Sequence, residues 1–215
     1  MNSESTVFLV DDEVSVLRAL SRLLRSAGLN VETFRSGQEF LQRYDANAAG
    51  CLVLDIAIPG LNGLELQQTL NFKGIELPII FVTGHGDIPM SVQAMKRGAL
   101  DFLTKPTNDE DLLSAIRAGL ERDRTNRQAR AELAEIQQRL ATLTPRERQV
   151  LVEVISGKLN KQVAAHLGVG EKTIKVHRAR VIKKMKVQSV ADLVRVTERV
   201  GIKPLPDAGR SARVG

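Results

Sequence analysis

The sequence lacks tryptophan, has a single cysteine and contains few aromatic residues. Because Phe, Tyr and Trp make up only 3% of the chain, its cores must be built mainly from Leu, Val, Ile and Ala. One thiol excludes an intrachain disulfide, and the position of Cys51 within an apolar run favours a small buried residue over a reactive nucleophile. No window approaches the ~18 apolar residues of a membrane-spanning helix, and the N-terminus has neither a basic start nor an apolar signal core. We therefore expect a cytoplasmic protein that does not enter a membrane.

Positive and negative charges are distributed unevenly along the 215 residues, whose net charge is +6. Residues 1–122 carry 11 Lys and Arg against 16 Asp and Glu, a net charge of −5. Residues 123–215 carry 20 against 9, a net charge of +11. The length favours two domains. The charge asymmetry indicates a regulatory or catalytic module followed by a module that binds a polyanion.

Short apolar runs alternate with helical patterns in the acidic part of the chain. The runs are bounded and lack polar alternation, which is typical of strands buried in a parallel sheet. Successive parallel strands need crossover helices, so five such units predict a doubly wound α/β domain. The expected strands are residues 7–10, 31–34, 51–54, 77–82 and 101–104.

Polar residues stand at or just past the ends of four of these runs: Asp11 and Asp12, Asp55, Thr83, and Lys105. Ligands collect at the carboxyl ends of the strands in such sheets. The adjacent carboxylates of Asp11 and Asp12 repel each other unless a cation lies between them, which suits Mg²⁺. Asp55 is then a candidate nucleophile that forms an aspartyl phosphate, with Lys105 and Thr83 stabilising the phosphoryl oxygens. Each residue alone also has a structural explanation as a cap, strand end or loop residue, but their combination favours the site.

The basic part of the chain has the pattern of a helix-turn-helix. Thr144 as N-cap, Pro145 at the first helical position and Glu147 three residues after the cap indicate a helix start. Further helices are expected from Asn160 to Gly168, over residues 172–186 and over residues 189–200, with the third of the four as the DNA reader. A basic helix is most often simply a helix exposed to solvent. The position of this one after a helix-turn pattern, in the basic part of the chain, favours DNA binding. The face expected in the major groove carries Lys172, Lys175, Val176 and Ala179, and the expected phosphate contacts are Arg178, Arg180 and Lys184.

The segment between the two modules has an apolar seam with spacings of 4, 3, 4 and 3: Ala129, Leu133, Ile136, Leu140 and Leu143. This spacing suits a short coiled coil that joins two copies of the chain. The alternative is a single linker helix that packs on its own domain, and the sequence leaves both open. The last residues, rich in Pro, Gly, Ser and Arg, are expected to form a mobile tail.

The acidic part of the chain contains FLVDDE at 8–13, LD at 54–55, PG at 59–60 with Gly63, FVTG at 81–84 and DFLTKP at 101–106. Through these motifs, roughly residues 5–122 resemble the receiver domain of two-component response regulators. This resemblance implies a flavodoxin-like (βα)₅ fold in which Asp55 accepts a phosphoryl group from a histidine kinase. It also implies that Mg²⁺ is bound by Asp12, Asp55 and the backbone carbonyl of Ala57, with Asp11 assisting.

The same resemblance implies a switch pair, Thr83 and Phe102, and a cis peptide bond between Lys105 and Pro106. The sequence departs from the family pattern after the nucleophile. That segment often reads with Arg or Lys and then Met, but here it is Ile-Ala-Ile at 56–58. The small side chain of Ala57 cannot tune the access of water to the phosphate as a larger group does.

Residues 143–198 resemble the LuxR-type DNA-binding domain, an all-α four-helix domain. The matching motifs are LTPRE at 143–147, NKQVA at 160–164 and KTIKVHR at 172–178. By this resemblance Lys161 and Thr173 join the phosphate contacts. The combination is the architecture of FixJ and NarL response regulators, and it implies a receiver at 1–122, a helical linker at 123–142, a DNA-binding domain at 143–203 and a tail at 204–215.

The implied function is a phosphorylation-controlled transcription factor, most often an activator, and not an enzyme. Its expected partners are a sensor histidine kinase, promoter DNA, RNA polymerase and, on phosphorylation, a second copy of the chain. One alternative is an aspartyl-phosphate hydrolase, but position 57 is Ala where such enzymes have a second Asp. Another is a DNA-binding protein whose receiver is an inert dimer module.

Overall fold

The computed structural model describes residues 5–84 and 88–205. The chain forms two compact units, residues 1–127 and residues 128–215. Within the described residues, no helix is long and apolar enough to cross a membrane. The expected tail lies outside this range apart from its first two residues, 204 and 205.

A parallel sheet with strand order β2-β1-β3-β4-β5 forms the centre of the N-terminal unit. Every described strand pair is parallel, and Val10 lies opposite Phe34 on one side and Leu54 on the other. This confirms the doubly wound α/β prediction. The strands are β1 Thr6–Val10, β2 Asn30–Phe34, β3 Gly50–Leu54, β4 Ile79–Thr83 and β5 Asp101–Thr104.

Helices cover both faces of the sheet, because alternate strand residues point to opposite faces. One core contains Phe8 and Phe81 from the strands, and the other contains Leu9 and Ile80. Cys51 lies fully buried in the second core, where burial, with a smaller effect from the Asp123 charge, raises the pKa of its thiol to about 12. The helices are α1 Val14–Ser26, α2 Gly37–Arg43, α3 Gly63–Phe72, α4 Ile88–Lys96 and α5 Asp109–Ala141.

Four shorter helices follow in the C-terminal unit: α6 Pro145–Ile155, α7 Asn160–Leu167, α8 Glu171–Met185 and α9 Val190–Glu198. The expected start of α6 is confirmed. The Thr144 hydroxyl accepts from the Glu147 amide at 3.3 Å, and a Glu147 carboxylate oxygen accepts from the Thr144 amide at 2.9 Å. The α7 helix ends at Gly168, whose φ of 66° favours glycine. The core includes Val150, Leu151, Ile174, Val181 and Met185.

Helix α5 is continuous from Asp109 to Ala141 and includes most of the expected linker. Its last turns belong to the core of the C-terminal unit, where Ile136 is buried and Leu140 packs alongside. Leu143, just after the helix, is buried in the same core. These three members of the apolar seam therefore pack within their own unit, as the second of the two alternatives expected.

Candidate functional site

The carboxyl ends of four strands bring the candidate phosphate-site residues together. Asp11 follows β1, Asp55 follows β3, Thr83 ends β4 and Lys105 follows β5. The Lys105 Nζ atom lies 2.6 Å from Asp11 Oδ2 and 2.7 Å from Asp55 Oδ2. The strand order reverses between β1 and β3, so Asp11 and Asp55 stand at the switch point where doubly wound sheets bind ligands.

Asp11, Asp12 and Asp55 form a compact acidic group. Each offers a carboxylate oxygen, and these oxygens lie within 4.8 Å of one another. Asp11 and Asp55 are buried, whereas Asp12 is half-buried. Because Lys105 supplies one positive charge against three negative ones, the group has the charge and the oxygen ligands that suit a divalent cation.

The Asp55 carboxyl is held in its ionised form. Burial by itself raises the pKa of this carboxyl. The Lys105 ammonium, together with hydrogen bonds from the Ala57 amide and the Thr83 hydroxyl, outweighs burial and holds the pKa below its ordinary value. The Ala57 bond joins its amide nitrogen to Asp55 Oδ1 at 3.0 Å. An ionised carboxylate is the nucleophilic form.

Lys105 is correspondingly held in its charged form. Burial lowers the pKa of its ammonium, but the hydrogen bonds and negative charges of Asp11 and Asp55 outweigh burial and raise the pKa. The peptide bond between Lys105 and Pro106 is cis, as the resemblance implied.

Gly63 allows α3 to begin directly against the backbone of Asp55. The Gly63 amide donates to the Ile56 carbonyl at 3.1 Å. A Cβ atom at position 63 would lie 2.5 Å from the Asp55 carbonyl oxygen, which is closer than real Cβ contacts. Gly63 belongs to the motifs that carry the receiver resemblance, but its spacing from Asp55 gave no signal of this contact.

Thr83 and Phe102, the expected switch pair, have different environments. Thr83 is fully buried and its hydroxyl is bonded to Asp55. Phe102 is half-buried and packs against the core that contains Phe81, with the two ring centroids 6.3 Å apart. Ala57 is exposed beside the acidic group.

An exposed apolar face on α4 lies outside the expected site residues. Ile88 is 80% exposed, Val92 44% and Met95 45%, whereas Ala94 on the same helix is fully buried. The spacing of 4 and 3 between Ile88, Val92 and Met95 indicates one face of a helix. Apolar spacing alone does not show whether such a face packs into the core or is exposed to solvent.

In the C-terminal unit, α8 exposes the expected reading face. Its core-facing residues Ile174, Val181 and Met185 are buried. Outside α8, Lys161 on α7 is exposed as well. The exposed members of the expected set on α8 are Lys172, Thr173, Lys175, Val176, Ala179 and Arg180.

Two expected phosphate contacts are engaged within the unit. Arg178 Nη1 donates to Asn160 Oδ1 at 3.1 Å. The Lys184 ammonium donates to Glu147 Oε2 at 2.6 Å and to the Thr142 carbonyl at 2.9 Å. Lys184 is therefore neutralised by a buried carboxylate from α6. Because the two residues are far apart in sequence, no local sequence pattern predicted this ion pair.

Comparisons with known proteins cover both units. Residues 7–117 match the family described as "Response regulator receiver domain", and residues 141–197 match "Bacterial regulatory proteins, luxR family". Nodulation protein W of Bradyrhizobium diazoefficiens is 49% identical over 201 residues, 94% of this chain and 88% of the relative. Response regulator protein TodT of Pseudomonas putida is 48% identical over 196 residues, 91% of this chain and 86% of the relative. The solved structure of response regulator StyR is similar with a TM-score of 0.86 at 47% identity, covering 91% of this chain and 99% of that one.

Proposed function

Because this chain belongs to the two-component response regulators that combine a receiver domain with a LuxR-type DNA-binding domain, we propose that phosphorylation of Asp55 controls its binding to promoter DNA. The receiver domain implies a histidine kinase as partner, and the LuxR-type domain implies binding to DNA. The observation that carries the proposal is the 2.7 Å contact between Lys105 and Asp55 inside the acidic group.

In the proposed reaction, a carboxylate oxygen of Asp55 attacks the phosphorus of a phosphohistidine on the kinase. An oxygen–phosphorus bond forms as the nitrogen–phosphorus bond breaks, and the electron pair of that bond stays on the imidazole. The lowered pKa of Asp55 supports this role because its carboxyl is ionised at neutral pH. Lys105 and Thr83 stabilise the charge on the transferred phosphoryl oxygens.

The acidic group fits Mg²⁺, which prefers a few carboxylate oxygens and water. We propose Asp12, Asp55 and the Ala57 carbonyl as ligands, with Asp11 assisting. When bound, Mg²⁺ neutralises charge on the carboxylates and on the phosphoryl oxygens. The support is the donor set itself: three carboxylates have oxygens within 4.8 Å of one another, and among the described residues one ammonium lies beside two of them.

The proposed switch runs from Asp55 to Thr83 and then to Phe102. The Thr83 hydroxyl already bonds to Asp55, so a phosphoryl group there draws Thr83 toward its own oxygens. The space this movement frees admits the half-buried ring of Phe102. Rotation of that ring remodels the surface formed by α4, β5 and α5.

The remodelled surface favours a homodimer. The exposed Ile88, Val92 and Met95 supply the apolar area that an interface requires, and phosphorylation completes its fit. Two copies then bring two α8 helices to a two-fold DNA site, since dimeric helix-turn-helix proteins read paired half-sites. The dimer recruits RNA polymerase and activates transcription.

The proposed reading face enters the major groove through Lys172, Lys175, Val176 and Ala179, all exposed on α8. Lys161, Thr173, Arg178 and Arg180 contact flanking phosphates. Lys184 lies beside these phosphate-contacting residues. Because it is paired with Glu147, its contribution to DNA affinity is the smallest among the expected phosphate contacts.

The test is to treat the full chain with acetyl phosphate and Mg²⁺ and to measure phosphoryl incorporation by mass spectrometry and oligomeric state by sedimentation. We expect one phosphoryl group per chain and conversion to a dimer. Asp55→Asn removes both, whereas Asp45→Asn, at an exposed turn, leaves both unchanged. Incorporation that persists in Asp55→Asn contradicts the assigned acceptor. A phosphorylated chain that stays monomeric contradicts the dimer.

A further inference from the structure

A groove of about 610 Å³ between α1 and the end of β2 contains a cluster of arginines. Its volume falls within the range of small-molecule sites. Four of the 11 basic residues in 1–122 line it, although that part of the chain has a net charge of −5. No Asp or Glu is among the described residues that line the groove. The four are Arg18, Arg22, Arg25 and Arg35.

Three of the four guanidinium groups of this arginine groove have no carboxylate partner among the described residues. Across the described ranges, no carboxylate forms an ion pair with Arg18, Arg22 or Arg25. Arg25 donates to the Val31 carbonyl over a long 3.4 Å. Glu39 accepts from the backbone amide of Arg35, but its carboxylate pairs with the Arg43 guanidinium at 2.7 Å. The groove therefore has several unpaired cationic groups on one wall.

Polar and apolar groups complete the groove. Ser21, 9% exposed, is a lining residue, and its buried hydroxyl has no hydrogen-bond partner in the part of the chain that the structure describes. Thr33 supplies a second hydroxyl from β2, while Val14 and Leu17 supply apolar surface.

We propose that the arginine groove binds a small organic anion with two adjacent phosphate groups, of the nucleoside diphosphate class. Planar guanidinium forks match phosphate oxygens two at a time, and several forks on one wall suit more than one phosphate. The spacing of Arg18, Arg22 and Arg25 sets them on neighbouring turns of one face of α1. The apolar surface of Val14 and Leu17 suits the organic part. None of the described residues that line this groove belongs to the acidic group, and all of them lie in the N-terminal unit.

The experiment is calorimetry and amide NMR on the full chain, with ADP and inorganic pyrophosphate as probes. EDTA is present so that no metal carries a diphosphate to the acidic group, and chloride is held near 0.1 M because arginine–phosphate contacts are salt-dependent. We expect one saturable site per chain and ligand-induced shifts of the Ser21 and Thr33 amide signals. Tighter binding of ADP than of pyrophosphate supports the proposal, whereas equal binding contradicts the role of Val14 and Leu17 in binding the organic part.

Matched variants locate the site. Arg22→Ala with Arg35→Ala weakens binding roughly 100-fold, since each removes a charge-assisted contact. Arg22→Lys with Arg35→Lys keeps the charge but loses the forks, and we expect an intermediate loss. Lys73→Ala with Arg117→Ala removes the same charge from exposed positions outside the groove and leaves affinity unchanged.

Three results overturn the proposal: no saturable binding of either probe, an equal loss in the Lys73 and Arg117 variant, or binding of an acidic peptide without binding of diphosphate. The circular dichroism spectrum of each variant verifies that the exposed substitutions leave the fold intact. If Arg22→Ala with Arg35→Ala alters the fold, Arg22→Lys with Arg35→Lys still tests the site. Weaker binding by the lysine variant supports bidentate recognition of phosphate, and unchanged binding contradicts it.

Discussion

The Lys184 ammonium contacts the Glu147 carboxylate at 2.6 Å, joining the reading helix α8 to α6. Glu147 is only 2% exposed, and it also accepts the Thr144 amide at the start of α6. One carboxylate therefore caps a helix and neutralises a lysine that a basic helix would otherwise present to DNA. This contact separates the residues that hold α8 in place from those proposed to meet DNA.

Replacing Lys184 should destabilise the C-terminal unit more than it weakens DNA binding. Lys184→Met leaves a buried carboxylate without its cationic partner, which costs about 1–3 kcal/mol. The measurement is urea unfolding of the full chain, followed through the C-terminal unit by amide NMR. Lys183→Met is the matched control, because Lys183 is an exposed neighbour on the same helix. Equal stability of the two variants would show that the ion pair contributes nothing.

The stabilisation from this ion pair should depend on pH in a defined direction. The hydrogen bond from Lys184 and that from the Thr144 amide hold the pKa of Glu147 below its ordinary value of 4.5. A lowered folded-state pKa means that stabilisation is present above the unfolded pKa and is lost as pH falls through the folded one. The stability difference between wild type and Lys184→Met should be full at pH 7 and shrink as the pH falls below the ordinary carboxyl pKa of 4.5. A difference that grows on acidification contradicts the assignment.

Removing Lys105 should strengthen Mg²⁺ binding and slow phosphoryl acceptance. In Lys105→Met, the carboxylates of Asp11 and Asp55 lose their competing ammonium, so Mg²⁺ affinity should rise about tenfold. The same change removes an electrostatic stabiliser of the transferred phosphoryl group, and incorporation from acetyl phosphate should slow roughly 100-fold. Calorimetry with Mg²⁺ and the rate of mass gain measure the two effects. Lys73→Met, at an exposed site, should change neither.

Adding a methyl group at Gly63 should disturb the Asp55 backbone. Gly63→Ala forces its Cβ to within 2.5 Å of the Asp55 carbonyl oxygen unless the chain moves. We expect a loss of about 1–3 kcal/mol in the stability of the N-terminal unit, together with slower phosphorylation. Thermal unfolding and the incorporation rate measure these changes. In Gly84→Ala the nearest atom is Lys105 Cβ at 4.0 Å, so normal stability is expected there.

Much of the sheet could be predicted from the sequence because β1, β3 and β4 are buried on both faces and read as continuous apolar runs. The fourth strand begins at Ile79, two residues later than expected. Pro78 has no amide hydrogen to donate, although its carbonyl accepts from the Leu52 amide at 2.8 Å. The candidate site could be predicted because topology alone brings strand ends to one edge.

Features that depend on contacts distant in sequence could not be predicted in the same way. The seam of apolar residues fits either a partner helix or the chain's own core, and only the folded unit assigns Ile136 to the core. The open face of α4 and the pairing of Lys184 with Glu147 are likewise decided by which surfaces meet, and periodicity does not carry that information.

The decisive test of whether phosphorylation of Asp55 controls DNA binding is the affinity of the full chain for its own promoter DNA, measured with and without acetyl phosphate and Mg²⁺. The measurement includes Asp55→Asn and is made at a fixed salt concentration, because phosphate contacts make binding strongly salt-dependent. We predict that phosphorylation tightens binding of the wild type and that Asp55→Asn remains at the unphosphorylated affinity under both conditions. Equal affinity in every case would mean that the receiver is an inert module attached to a constitutive DNA-binding protein.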